Sequence, residues 1–123
     1  MLTVHEITRD DGSLSPVGLR VEGKVLCIVE EGDGLPLPEG ALESVMKRFG
    51  GPIDDRARLH EVGALALPGG AALKRMRHKG FYDVIAKDYL VLEVDGQEPL
   101  CALATTVAGA LSHVAHAYRR ATV

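Results

Sequence analysis

Tryptophan is absent from the 123 residues and aromatics make up only 4%, so Leu, Val, Ile and Ala must build the core. Stacking platforms for bases or sugars are correspondingly scarce. Only two cysteines are present, Cys27 and Cys101. They are too few for a disulfide framework or a four-cysteine zinc site, and the default setting for such a chain is a reduced cytoplasm. Neither sign of charge dominates: the net charge of −3 gives no long-range attraction to nucleic acid or to an anionic membrane. Internal repeats, low-complexity tracts and linkers are lacking, as are a calcium-loop spacing, a Gly-x-Ser-x-Gly elbow and a His-Glu-x-x-His motif. His5, Glu6, Arg9, Asp10 and Asp11 crowd the start of the chain, which is not the pattern of a secretory leader.

What is present describes one domain over 1–123. A hydrophobic share of 46% and a charged share of 25% are those of a globular protein, and a chain of this length buries enough surface to fold without a metal or disulfide staple. Leu2 to Thr8 reads as a strand ending in the turn cluster Arg9 to Ser13, and Val17 to Val21 with Val25 to Val29 reads as a hairpin across Glu22-Gly23-Lys24. A loop over 30–38 leads to a helix over Glu39 to Phe49, stopped by Gly50-Gly51-Pro52. Leu59 to Leu67 is a strand closed by Pro68-Gly69-Gly70. Ala71 to Lys79, rich in helix formers with cations near its end, predicts a short second helix, with a hairpin across Pro68-Gly69-Gly70 as the competing pattern. Phe81 to Ala86 and Tyr89 to Val94 read as an interrupted strand or a hairpin across Lys87-Asp88. From Pro99 onward, Leu100, Leu103, Val107, Leu111, Val114 and Tyr118 fall on one helical arc. The expected fold is α+β: a mostly antiparallel sheet of 5–6 strands, two shorter helices, and one long C-terminal helix packed on the sheet.

The segment from Pro99 to Tyr118 contains no Asp, Glu, Lys or Arg. Its length would suit a bilayer crossing, but Thr105, Thr106, Ser112, His113 and His116 interrupt it and Ala supplies much of the rest, so no membrane is expected. The face opposite the leucine arc carries Thr105, Gly109, Ser112, His113 and His116, where a solvated helix would carry Lys or Glu. That depletion predicts a helix covered on both sides, its apolar face by the sheet and its small, neutral face by another subunit. Symmetric dimers are the commonest oligomers, so a homodimer is the expected assembly.

Three further patterns carry candidate chemistry. His113 and His116, three apart, can hold two corners of a metal site, with His5, His60, Glu61 and Cys101 as the available third ligands. Cys101, placed in the first turn of the predicted helix, would have a stabilised thiolate there, although the base a nucleophile needs is not signposted. Gly69 and Gly70 before a helix, with Lys74, Arg75 and Arg77 following, could cradle an anion at a helix N-terminus. With His78 and Lys79 these cations could alternatively touch a nucleic-acid backbone, which the acidic total argues against. The acidic pairs Asp10-Asp11, Glu30-Glu31 and Asp54-Asp55 read as solvated turns. No cofactor is implied. The leading expectation is therefore a non-catalytic, oligomeric binding or accessory domain assembled through its last helix. The alternatives are a small enzyme or anion- or metal-binding protein using the sites above, and a local nucleic-acid binder.

Overall fold

The computed structural model describes residues 2–7, 17–21, 24–29, 34–53, 59–78 and 87–122. The turn clusters 9–13 and 22–23, the acidic groups 30–33 and 54–55, Lys79 and the strand expected over 81–86 lie outside the described residues. In chain order the elements are β1 (Thr3–Ile7), β2 (Leu19–Val21), β3 (Lys24–Val29), β4 (Leu35–Pro36), α1 (Ala41–Phe49), β5 (Leu59–Ala66), β6 (Ala72–His78), β7 (Lys87–Glu93), β8 (Leu100–Leu103) and α2 (Ala104–Thr122). The fold is α+β, with antiparallel pairing among the described strands and a long C-terminal helix.

The strands form two sheets rather than the single one expected. The first runs in the order β2-β3-β1, with the two-residue β4 appended beyond β1. The second is a four-stranded meander, β5-β6-β7-β8. Strands near in sequence pair with each other, and α1 with its flanking loops separates the two groups.

Two elements differ from expectation. The stretch read as a second short helix is strand β6, so the described residues hold one short helix, α1, instead of two. Two glycines at positive φ, Gly69 and Gly70, turn the chain in a single 3₁₀ turn over Pro68–Gly70, and Leu67 N donates to Ala71 O at 2.9 Å to close the hairpin. The alternation 73/75/77 against 72/74/76/78 then fits a pleat, with Leu73 fully buried opposite Leu65 and Leu92. Pairing on both sides of β6 outweighs the helix preference of Ala, Leu, Lys and Arg. Lys87 and Asp88, read as a turn, lie inside β7.

The second difference is at the end of the chain. The long helix starts at Ala104 rather than just after Pro99, because Leu100–Leu103 is taken up as strand β8, with Leu92 opposite Leu100 and Tyr89 opposite Leu103. The other edge of β8 is met by the chain leaving α1: Gly51 N donates to Cys101 O at 2.9 Å and Cys101 N to Gly51 O at 2.7 Å. Leu100 and Leu103 thereby leave the helical arc, and Leu103 is exposed.

α2 packs against strands of both sheets and against α1. Its residues Ala104, Val107, Ala108, Leu111 and Ala115 are buried, and they join Val4 and Ile28 of the first sheet, Leu73, Leu90 and Leu92 of the second, and Leu42, Val45 and Met46 of α1 in one core. No helix among the described residues is long and apolar enough to cross a membrane.

Candidate functional site

At about 100° per residue, the buried positions of α2 occupy one side of its circumference. The opposite strip consists of Thr105, Thr106, Gly109, His113, His116 and Ala117, all exposed, with Ser112 half-buried at its margin. The side of the helix expected to meet another subunit is open within the single chain. Burial on the sheets accounts for the missing charge on one side, β8 accounts for residues 100–103, and only this strip remains uncharged and open.

The strip is tied to the first sheet through Glu6 of β1. Ser112 Oγ donates to Glu6 Oε1, and His116 Nε2 lies 3.2 Å from the same oxygen. Ser112 and His116 are one helical turn apart, so both reach the single carboxylate that β1 presents. Because both converge on one oxygen, this is no proton relay: a nucleophilic serine must donate to the imidazole, with the acid behind the ring. The arrangement fixes α2 on β1. Glu6 was unremarkable in sequence, since only the packing of α2 on β1 gives it a partner more than a hundred positions away.

The other predicted residues are dispersed. His60 lies on β5 and Cys101 on β8, the opposite edge strands of the second sheet. No group of three or more His, Cys, Asp or Glu among the described residues is placed to hold a metal, so His113 and His116 gather no third ligand there. Cys101 is a strand residue, not a helix-start residue, so the dipole expected to stabilise its thiolate is not aimed at it. Burial instead pushes its pKa up. A raised pKa leaves the neutral thiol dominant at pH 8, so iodoacetamide is expected to alkylate Cys101 several-fold more slowly in the native than in the urea-unfolded chain. Peptide mapping after a time course reads this directly; equal rates in both states would contradict the shielding.

The anion cradle loses its ground with the helix that was to follow it. Gly69 and Gly70 are hairpin residues, and a Cβ on Gly70 would lie 3.2 Å from Asp95 Oδ2, so a carboxylate borders the junction. Lys74 is held between Glu93 (3.1 Å) and Glu61 (3.5 Å), and these partners, Glu93 foremost, raise its pKa. The bulge between Glu61 and Gly63 brings Glu61 into this range. On the other face, Arg77 Nε donates to Asp88 Oδ1 at 3.0 Å from the directly opposite position on β7. Arg75 extends to the Gly18 carbonyl, and its Nε is buried 4.0 Å from Asp88 Oδ2 without a hydrogen bond. The guanidinium of Arg75 thus links the second sheet to the turn that enters the first. Lys74, Arg75 and Arg77 alternate between faces, and each of the three has a carboxylate or carbonyl of this chain beside it.

No protein-family model, curated protein or solved structure matches the chain.

Proposed function

We propose that this chain is a non-catalytic binding or accessory domain that self-associates through the open strip of α2, forming a symmetric dimer in a reduced cytoplasmic setting. The observation that carries this reading is Gly109. Glycine within a helix costs about 1 kcal/mol relative to alanine. Tight internal packing is the usual compensation, yet a Cβ built on Gly109 meets nothing within 4 Å. A bare backbone at this position leaves room for a second helix to approach closely, which supports self-association. The neighbouring Thr105 and His113 are exposed, and neither is a Lys, Arg, Asp or Glu, in line with the depletion of charged residue types in interface centres. Ser112 and His116, held by Glu6, give the strip a fixed margin.

Gly109→Ala separates this reading from a monomer. In a monomer the added methyl group lies in open space and improves the helix, raising the thermal midpoint by a few degrees. In a dimer crossing at Gly109 the two methyl groups force the backbones apart and weaken association by roughly tenfold or more. Sedimentation equilibrium on both proteins decides. A wild-type chain that is monomeric at high micromolar concentration, or a Gly109→Ala chain that melts higher with unchanged association, would overturn the proposal.

A further inference from the structure

We infer that Arg75 and Arg77 form a binding site for an oxyanion, the phosphate or carboxylate group of a small ligand, at the open end of the core-facing side of β6. The site is separate from the Gly69–Gly70 junction and does not depend on self-association. By strand alternation Leu73, Arg75 and Arg77 share one side of β6. That side changes character along its length. Leu73 is fully buried, Arg75 lies opposite the fully buried Leu90, and Arg77 lies between Asp88 on β7 and the exposed His60 on β5. The apolar layer thus gives way at its rim to a rung of ionisable side chains.

Two guanidinium groups share a single carboxylate on this rung. Arg77 Nε donates to Asp88 Oδ1 at 3.0 Å, while Asp88 Oδ2 lies 4.0 Å from Arg75 Nε. Among the described residues no second carboxylate pairs with either arginine, so one positive charge is left over. The Arg75 side chain is only 22% exposed, and its Nε is cut off from water without an acceptor. Folded proteins rarely leave a buried donor unpaired, and an orphan on a charged group is the costliest kind. A negative charge at the open end of the guanidinium offsets that cost, and the donors to receive it are present. Arg75 Nη1 is used on the Gly18 carbonyl and Arg77 Nε on Asp88. Arg75 Nη2 and both terminal amino groups of Arg77 have no acceptor among the described residues, yet solvent reaches them. Planar forks of N–H donors match the paired oxygens of a phosphate or carboxylate and give no such advantage to a spherical chloride. Asp88 has two opposed effects: it holds Arg77 in place and repels the incoming anion.

Heteronuclear NMR of the arginine Nε–H signals tests the site, with the full chain titrated with inorganic phosphate and, separately, with acetate. Sodium chloride at matched ionic strength is the control. The Arg75 and Arg77 signals are expected to shift and saturate at millimolar phosphate or acetate, and not with chloride. Tighter binding of phosphate assigns the ligand group as a phosphate, and tighter binding of acetate as a carboxylate. Arg77→Gln, at the more exposed of the two arginines, is expected to weaken binding about fivefold. Asp88→Asn removes the competing charge and is expected to tighten binding by about the same factor. A cluster that serves only to join strands predicts no gain from Asp88→Asn. Failure of both anions to saturate, an equal response to chloride, or binding in Asp88→Asn no tighter than in the wild type overturns the proposal. Should Asp88→Asn not fold, the wild-type and Arg77→Gln titrations decide. Sedimentation reads the association of α2 independently, so the two proposals can fail separately.

Discussion

Gly50→Ala is expected to lower the thermal midpoint by about 10 °C, corresponding to a loss of about 2–3 kcal/mol. The chain leaves α1 abruptly at Gly50, which turns to an extended conformation while its N–H still donates to Met46 O at 2.8 Å. The turn brings the α-carbon against the carbonyl it is bonded to. A Cβ there would lie 2.4 Å from Met46 O and 3.3 Å from Cys101 O, both backbone atoms that no side-chain rotation can move. Relief requires the exit of α1 to shift away from β8, which strains the two hydrogen bonds between Gly51 and Cys101 as well. Gly51 provides the internal control, because its Cβ would have nothing within 4 Å; Gly51→Ala is expected to change stability by no more than about 0.5 kcal/mol. Calorimetry on the three proteins checks the contrast. If Gly50→Ala melts with the wild type, the close pass between α1 and β8 does not hold the molecule together.

The largest loss is expected from Leu111→Ala, about 3–4 kcal/mol out of a total that for domains of this kind is about 5–15 kcal/mol. Leu111 is fully buried halfway along the helix that touches both sheets and α1, so the void opens where all the layers meet. A cavity surrounded by several elements collapses poorly, since relaxation towards it by one sheet draws that sheet away from the other. Leu111→Met, nearly the same in volume, is expected to cost under about 1.5 kcal/mol. Urea unfolding of both variants measures this. A loss below about 1 kcal/mol in Leu111→Ala would mean that α2 lies on the core rather than within it.

How much of this was legible beforehand depended on whether the relevant force was local. The α1 helix could be read from the spacing of Leu42, Val45 and Met46 and from Gly50, all within a few residues of one another. The buried side of α2 could be read at Val107 and Leu111 for the same reason. By contrast, Leu100 and Leu103 fit the helical period as well as Val107 does, and only the presence of β7 on one side and Gly51 on the other makes them a strand. In β6 the residues 72–78 satisfy helical propensity and strand alternation together, and the decision is made by Leu65 and Leu92, which lie seven or more positions away on other strands. The candidate sites followed the same rule. Helix-terminus chemistry at Cys101 and at the Gly69–Gly70 pair requires a helix beside each, and a strand and a hairpin turn stand there instead. The outer strip of α2 was found because it depends on a repeat within one element. The partner that anchors it, Glu6, comes from the opposite end of the chain and left no local trace.

The irregularity at Glu61 and Gly63 has a consequence for how the molecule behaves when concentrated. β5 is the outermost strand of its sheet, and among the described residues no other strand pairs along its free side. A straight, uninterrupted rim of that length would be a template on which a foreign strand could zip up and start a fibril. The extra residue breaks the spacing of donors and acceptors partway along, so an incoming strand that matches one half falls out of step with the other. The far rim is already occupied at Cys101 by the chain emerging from α1. The second sheet can therefore meet copies of itself without offering them an endless ribbon.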